Sequence, residues 1–471
     1  MIPQSTARVR TKTGCFPCEI KTSLDSDQPM LTDAGRQRRK KCDETRPRCR
    51  ACTRNELGCQ WPSGNEQRDG RRAQRCRISA VSDLRLSPLV PLPAPFQLQE
   101  HGYLYRYYAS TLVPRLVRKN SLARFLDQTH FLRLAWEFPP LMGAMISIAG
   151  MQLASSSRWA IQCAIESYIY TISGLQKTIA QLRNPETNDG LLATVISLSV
   201  FESCRRDAVP NTTPHVMASG TLLALRRPRG GNCPQTAAVF DRICIESFVY
   251  HASLMMIFDP SLDALSRFRD QQDLTQYFPD HPDLGVSVST QPILHAPYRF
   301  FVLIADATKL ARLSRPLERG ERQKWRHLQD ELRQCVPIMR TEDEQSSTLY
   351  CLGLQVLLLK KNPGISLREM NRQMSICLER GLEAMALADA ERYFTSFLLW
   401  PLAILGSIAV FSNENQTVQD LLSLLINTRP GGQATWVQRR LQTIWTTTRS
   451  PDSESREEQR LLGLQLLLDG N

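Results

Sequence analysis

Six cysteines fall between residues 15 and 59, spaced Cys15-x2-Cys18-x23-Cys42-x6-Cys49-x2-Cys52-x6-Cys59, and they limit local folding more tightly than anything else in the chain. Two CxxC steps, each followed by a further cysteine, supply six thiolates. Thiolate is the preferred soft ligand of structural zinc in closed tetrahedral sites. Two separate four-sulfur sites would need eight sulfurs, so six can serve two metals only if two of them bridge both. A binuclear site holding two Zn2+ is the economical reading, against a chance cluster of reduced cysteines. No histidine occurs in residues 1–60 to offer a nitrogen ligand instead.

The other eight cysteines (Cys76, Cys163, Cys204, Cys233, Cys244, Cys335, Cys351 and Cys377) are scattered, as reduced core residues are. Residues 1–14 hold Arg8, Arg10 and Lys12 but no apolar run, so no secretory signal is expected and the block does not read as a disulfide framework.

Of the chain's net charge of +12, residues 1–80 carry +9. A basic arm on a near-neutral body points to a polyanionic partner, most commonly nucleic acid. Four segments follow: a basic tail (1–14), the cysteine block (15–59), a linker (60–97) and a helical body (98–471). The linker holds Pro62, Pro88, Pro91, Pro93 and Pro95 and a basic run from Arg68 to Arg77, which favours an extended connector. It has no sustained heptads and so no evident coiled-coil dimeriser.

The block resembles the zinc-cluster DNA-binding domain of fungal transcription factors, with two zincs and six cysteines. R-Q-R-R-K-K-C (Arg36 to Cys42) matches the basic segment before that family's third cysteine. D-E-T-R-P-R-C (Asp43 to Cys49) matches the loop with a turn proline, here Pro47, and R-A-C-T-R-N-E-L-G-C-Q-W-P continues in register through Cys59. The resemblance implies Cys15 and Cys49 as bridging thiolates, Cys18 and Cys42 completing one site, and Cys52 and Cys59 the other. It implies that Arg38 and Arg39 reach the bases of a CGG-type half-site in the major groove, where arginine bonds guanine O6 and N7. Arg36, Lys40, Lys41 and Arg50 would meet phosphates and add salt-dependent affinity. The basic run also suits nuclear import, so the expected location is the nucleus.

One departure stands out. Between Cys18 and Cys42 lie 23 residues, where the family has six, and the excess Glu19–Gly35 is acidic: Glu19, Asp25, Asp27 and Asp33 against Lys21. The longer loop costs about 1.2 kcal/mol of closure entropy, against ~10–16 kcal/mol from structural zinc. Metal binding should survive. Presentation of Arg38 and Arg39 is what the insert opposes, because Pro29 and Gly35 interrupt any helix running on from Cys18. Removing Glu19–Gly35 restores the family spacing. Back-translation permits a GTGAG donor across Cys18-Glu19, a CTGAC branch point at Leu31-Thr32 and an AG acceptor at Ala34-Gly35. The segment therefore reads as a retained intron, with a genuine affinity-tuning surface loop as the alternative.

The body reads as all-α, with ten to fifteen helices and no sheet of any size. In 161–183, Ile165, Tyr168, Ile169, Ile172, Leu175, Ile179 and Leu182 recur at steps of three and four, and Asn184-Pro185 marks the stop. Leu367, Met370, Met374, Cys377, Leu378, Leu382 and Met385 repeat the pattern. Tyr393 to Phe411 lacks charge, but Thr395, Ser396, Pro401 and Ser407 favour a buried core helix pair over a membrane span. The segments Pro139–Gly150, His215–Arg227 and Ile245–Leu254 resemble the fungal-specific transcription factor domain, an all-helical regulatory unit.

Catalytic patterns are not found. No two histidines lie at HxxxH spacing, and no G-x-S-x-G or P-loop occurs. The seven histidines read as surface or satisfied core residues, and Glu166, Glu202 and Glu246 as rim charges. At the C-terminus, Asp452, Glu454, Glu457 and Glu458 precede the apolar stretch Leu461–Leu468, which is either an activation segment or, preferably, the last amphipathic helix. The leading expectation is a nuclear, zinc-dependent transcriptional regulator of RNA polymerase II genes that binds double-stranded DNA. Secondary-metabolite or nutrient gene clusters are among the targets the resemblance suggests. It also admits a homodimer contact and a coactivator or small-molecule effector. The alternative is a helical interaction or sensor protein whose zinc module does not read DNA because of the insert.

Overall fold

The computed structural model describes residues 92–470, interrupted at 94–95, 119–120, 127–128, 155–156, 206–210, 227–234, 279–290, 295, 340–343, 387–394, 429–431 and 449–455. The cysteine block, its basic run and the insert lie outside the described residues. Among those described there are helices and no strands. Fifteen α-helices have nine residues or more: α1 (Gln99–Tyr107), α2 (Thr129–Glu137), α3 (Pro139–Leu153), α4 (Arg158–Gln181), α5 (Asp189–Cys204), α6 (Thr213–Leu225), α7 (Gln235–Leu254), α8 (Tyr298–Arg312), α9 (Arg319–Met339), α10 (Glu344–Lys360), α11 (Leu367–Ala386), α12 (Thr395–Ile408), α13 (Ser412–Thr428), α14 (Gly432–Thr448) and α15 (Arg456–Asp469). Shorter helical pieces join them. Pro91–Asn471 forms one compact unit.

The sequence P-P-L-M-G-A-M-I-S-I-A-G makes α3 central. Pro139 opens it at the first helical position, where a missing N–H costs nothing. Every residue from Pro140 to Met151 is then buried, as expected of a helix that is apolar all round. On one face, Gly143, Ser147 and Gly150 recur at steps of four and three. They meet Ala160, Ala164, Ser167 and Thr171 of α4, which follow the same rhythm. A Cβ on Gly150 would stand 2.5 Å from the Ala160 carbonyl oxygen and 2.8 Å from Ala164 Cβ. Polar members of the seam bond within it: Thr171 Oγ1 donates to Ser167 O at 2.8 Å, and Ser147 Oγ to Gly143 O at 2.7 Å.

This seam corrects the reading of α4. The helix and its end at Gln181 lie where the spacing and Asn184-Pro185 place them. The buried face, however, is the small-residue one; Ile169 is 58% exposed and Ile179 51%. Close approach of two backbones favours small residues there and leaves Ile169 and Ile179 outward, while Leu175 is buried and Ile165, Tyr168, Ile172 and Leu182 pack partly buried against the core.

In the C-terminal half, α8, α10 and α12 supply the core, and Trp400 stacks on Tyr350 with planes 7° apart. Within the uncharged stretch Tyr393–Phe411, the described residues form one helix, α12 (Thr395–Ile408), rather than a pair. Pro401 lies inside α12, and the helix continues past it. No helix of the described residues is long and apolar enough to cross a membrane. The last helix, α15, docks: Leu464, Leu467 and Leu468 are buried. Three cations gather at its C-terminal end, where the helix dipole is negative. Arg312 Nε donates to Leu468 O at 2.9 Å, Arg440 to Leu466 O at 2.5 Å, and the Lys360 ammonium to Gln465. Burial pushes the Lys360 ammonium down to about 8. Arg460 bonds both oxygens of Glu414, at 2.7 and 3.1 Å. The apolar stretch Leu461–Leu468 thus belongs to the last helix of the described residues, packed on the core.

Gly150→Ala should lower unfolding free energy by about 1–3 kcal/mol through overpacking of the seam. Gly102→Ala, in α1 with nothing within 4 Å of a new Cβ, should raise it by about 0.5–1 kcal/mol. Urea denaturation of both variants checks this; equal effects would contradict a seam that needs glycine.

Candidate effector cavity

Proline chemistry shapes the wall of the main cavity. Pro114 has no N–H, so the Ser110 carbonyl lacks its usual partner four residues on. The chain answers with a π-helical turn, Tyr108–Leu112, in which the Val113 N–H bonds the Tyr108 carbonyl. Ser110 Oγ caps the preceding turn by donating to Arg106 O at 2.8 Å. The wider turn brings Tyr108, Leu112 and Val113 inward, at 5%, 3% and 9% exposure. Single π turns of this kind recur at functional sites.

Helices α2, α3, α5 and α7 complete the walls, together with Ile293 and Gln433 of α14. About 110 Å³ of open space lies among Tyr108, Phe131, Ile148, Val200, Ser247 and His251 and their neighbours. No Asp, Glu, Lys or Arg lines it. Ser247 and His251 are four residues apart on α7 and so share a face. His251 Nδ1 stands 2.7 Å from the Ser247 carbonyl oxygen, which can only accept. Nδ1 therefore carries the ring proton and Nε2 is left with a lone pair. Burial lowers the His251 pKa, which favours this neutral form.

A buried carboxylate fixes the segment that carries Ile293. Glu246 is fully buried, and its Oε2 accepts the N–H groups of Ile293 at 2.8 Å and Leu294 at 3.1 Å. Its Oε1 accepts from Arg242 Nε at 2.5 Å. Arg242 also donates to Tyr277 O at 2.9 Å and lies over the Phe278 ring, 4.2 Å from its centroid. From the other side, Arg118 Nη1 donates to Leu294 O at 3.0 Å and the Arg118 N–H to Pro292 O at 2.8 Å. Burial raises the Glu246 pKa above the ordinary 4.5, with Arg242 and the two backbone donors opposing.

Several expectations change here. Glu246 and Glu202 are not rim charges: both are buried, and Glu202 accepts from Arg205 at 3.1 Å and from the Asn211 N–H at 3.0 Å. Each carboxylate holds backbone that has no helical partner. His130 is not a satisfied core histidine either. It packs edge-on to Phe240, with centroids 5.6 Å apart, and among the described residues neither ring nitrogen has a hydrogen-bond partner. Cys204, Cys244, Cys351 and Cys377 are buried and in no disulfide among the described residues, as scattered cysteines suggest. No group of three metal-ligating side chains occurs among the described residues. Cys15, Cys18, Cys42, Cys49, Cys52 and Cys59 lie outside them, as do Arg36, Arg38, Arg39, Lys40, Lys41 and Arg50. The sequence reading missed Tyr108, Ser247 and His251. The available signal was a serine and a histidine at i, i+4 within the apolar string I-E-S-F-V-Y-H.

The family of fungal specific transcription factor domains matches residues 103–458. The chain is 28% identical over 151 residues to the Zn(2)-C6 fungal-type transcription factor afumD of Aspergillus fumigatus, covering 31% of this chain and 34% of that protein. It is 37% identical over 67 residues to the zinc cluster transcription factor CZF1 of Candida albicans, covering 14% of this chain and 13% of that protein. The chain thus spans about a third or less of the length of these curated relatives. No solved structure matches it.

The Glu246 clamp has a pH signature. A carboxyl whose folded pKa is raised stabilises the fold below its unfolded value and loses that contribution as pH rises through the folded value. Glu246→Gln lacks this titration. The stability advantage of wild type over Glu246→Gln should therefore be larger near pH 4 than near pH 7, read by urea unfolding at each pH. An advantage that grows with pH would contradict a carboxyl whose pKa is raised by burial.

Proposed function

The chain belongs to the family of fungal specific transcription factor domains, matched over residues 103–458, and on that premise we propose that it is a sequence-specific, DNA-binding transcriptional regulator. One observation carries this reading: the six-cysteine spacing with its basic run stands in front of a helical unit of that family. Relatives named as zinc-cluster transcription factors support it. The regulator would work in the nucleus on RNA polymerase II genes, and we place no catalytic activity in it.

Six thiolates and no histidine form a donor set suited to two zinc ions. Cys15 and Cys49 would bridge, Cys18 and Cys42 would finish one site, and Cys52 and Cys59 the other. Zinc supplies the folding energy that a module this small cannot draw from a hydrophobic core. Arg38 and Arg39 would read guanines of a CGG-type half-site. Arg36, Lys40, Lys41 and Arg50 would contact phosphates, and residues 60–97 would connect this module to the helical unit. We assign regulation to the helical unit, through a small-molecule effector in the cavity, with a second copy of the chain or a coactivator as a further partner.

The base-reading assignment predicts different behaviour at two neighbouring positions. Arg39→Ala should weaken CGG binding by about 1–3 kcal/mol and relax preference at one guanine. Lys41→Ala should weaken all sequences alike and flatten the salt dependence. Anisotropy titrations on CGG and scrambled duplexes distinguish them; matching effects of both variants on both duplexes would exclude base reading.

A second reading is favoured by the acidic segment Glu19–Gly35: if translated, it opposes phosphate binding beside Arg36–Lys41 and leaves a helical sensor that does not read DNA. We propose instead that the segment is a retained intron. Sequencing the mature message across Cys18–Arg36 should join Cys18 to Arg36 directly. A tryptic peptide containing Glu19–Gly35 from the native protein would exclude the intron and support the second reading.

A further inference from the structure

The cavity among α3, α5, α7 and the π turn carries more information than its volume. Tyr108 is 5% exposed and Ser247 8%, so both side chains are more than nine-tenths buried. Both line the open space. Among the described residues, no group hydrogen-bonds either hydroxyl. Serines on α5 differ: Ser197 Oγ donates back to Ala193 O at 2.8 Å and Ser203 Oγ to Ser199 O at 2.9 Å. Buried polar groups are almost always partnered, and those left over mark a missing water, ion or ligand.

Three constraints define what belongs there. The walls are mostly hydrocarbon and carry no Asp, Glu, Lys or Arg, so an ion would lose its hydration without a charged partner. The space of about 110 Å³ is somewhat below that of an engineered apolar cavity known to take benzene, so the occupant is about one ring in size. Of the polar lining, Ser197 and Ser203 bond back to their own helix and the Gln433 amide donates to Met255 Sδ; Tyr108 and Ser247 offer hydroxyls, which donate or accept, and His251 Nε2 offers a lone pair, which only accepts. A complementary molecule presents a donor to the nitrogen and an acceptor to a hydroxyl. One hydroxyl group on the ligand provides both.

We infer that this cavity binds a small, neutral, single-ring hydroxylated molecule of the phenol class, held by Tyr108, Ser247 and His251 with its hydrocarbon body against Phe131, Ile148 and Val200. The inference rests on the assignment of regulation to the helical unit for its biological meaning, while binding itself is independent of DNA. Glu246 contributes indirectly, by holding Ile293 at the rim.

The test uses the full chain without DNA and three probes built on one methylbenzene ring: 4-methylphenol, toluene and 4-methylbenzoate. Ligand-observed NMR reads saturable binding and its Kd. The expected order is 4-methylphenol about tenfold tighter than toluene, as one or two net hydrogen bonds give, with no saturable binding of 4-methylbenzoate. Tyr108→Phe and Ser247→Ala should each weaken 4-methylphenol about three- to tenfold and leave toluene unchanged, which also shows that each variant still forms the cavity. Ile148→Phe should reduce both ligands. The proposal is overturned if no probe saturates, which identifies a water-filled space; if toluene or 4-methylbenzoate binds as tightly as 4-methylphenol; or if neither hydroxyl variant separates phenol from toluene. Loss of phenol binding with intact CGG recognition would remove the site alone. Phenol binding without CGG recognition would count against the regulator reading alone.

Discussion

The approach of α3 to α4 through glycine, alanine, serine and threonine is the contact on which the N-terminal half of the helical unit depends. Two helices that close bury backbone against backbone, and dispersion over many short contacts replaces the interlocking of long side chains. Because α3 is buried on every side, α1, α2, α4 and α5 must all be placed around it. A shift of α3 to admit a Cβ at Gly150 would reach the cavity, since Ile148 on the same helix forms part of its wall. Gly190, at the start of α5, packs under Phe138 in the same way, so the residue before α3 and the helix after α4 are tied to one another. Seam and cavity are two faces of one placement.

The cavity's other dependence is electrostatic. Glu246 and Arg118 grip residues 291–294 from two sides through backbone groups, so a segment with no regular structure is held at fixed positions. The same device recurs at the C-terminus, where Arg312, Lys360 and Arg440 converge on the last turn of α15. In the first place a buried carboxylate, and in the second the partly buried Arg312 and Arg440, satisfy backbone that has no helical partner. Breaking such a charge leaves the rest uncompensated, so these positions tolerate little change. They are anchoring charges.

The fold class was legible because helical periodicity and proline stops are local. α11 shows this: Met374, Cys377, Leu378 and Met385 were read as core and are buried. α4 shows the limit. Its isoleucines made the conspicuous stripe, yet the partner surface of α3 selects small residues, and that selection appears only when both helices are compared. Glu246 was misread for a related reason, since the N–H groups it serves come from residues 47 and 48 positions away. The cavity's polar groups were legible only in part, as Ser247 and His251 four apart; the third, Tyr108, depends on a π turn forced by Pro114. The proposed metal ligands and base-reading arginines rest on spacing and family resemblance, and they stand outside the described residues.

The central claim is that a zinc-organised module on this chain reads DNA by sequence. Fluorescence anisotropy of a CGG-containing duplex and a scrambled duplex, titrated with full-length protein at ~150 mM salt before and after zinc chelation, tests it most directly. The account predicts CGG binding at least a hundredfold tighter than scrambled, falling to the scrambled level on chelation and returning when zinc is restored. Equal, weak affinity for both duplexes in the zinc-loaded protein would contradict it.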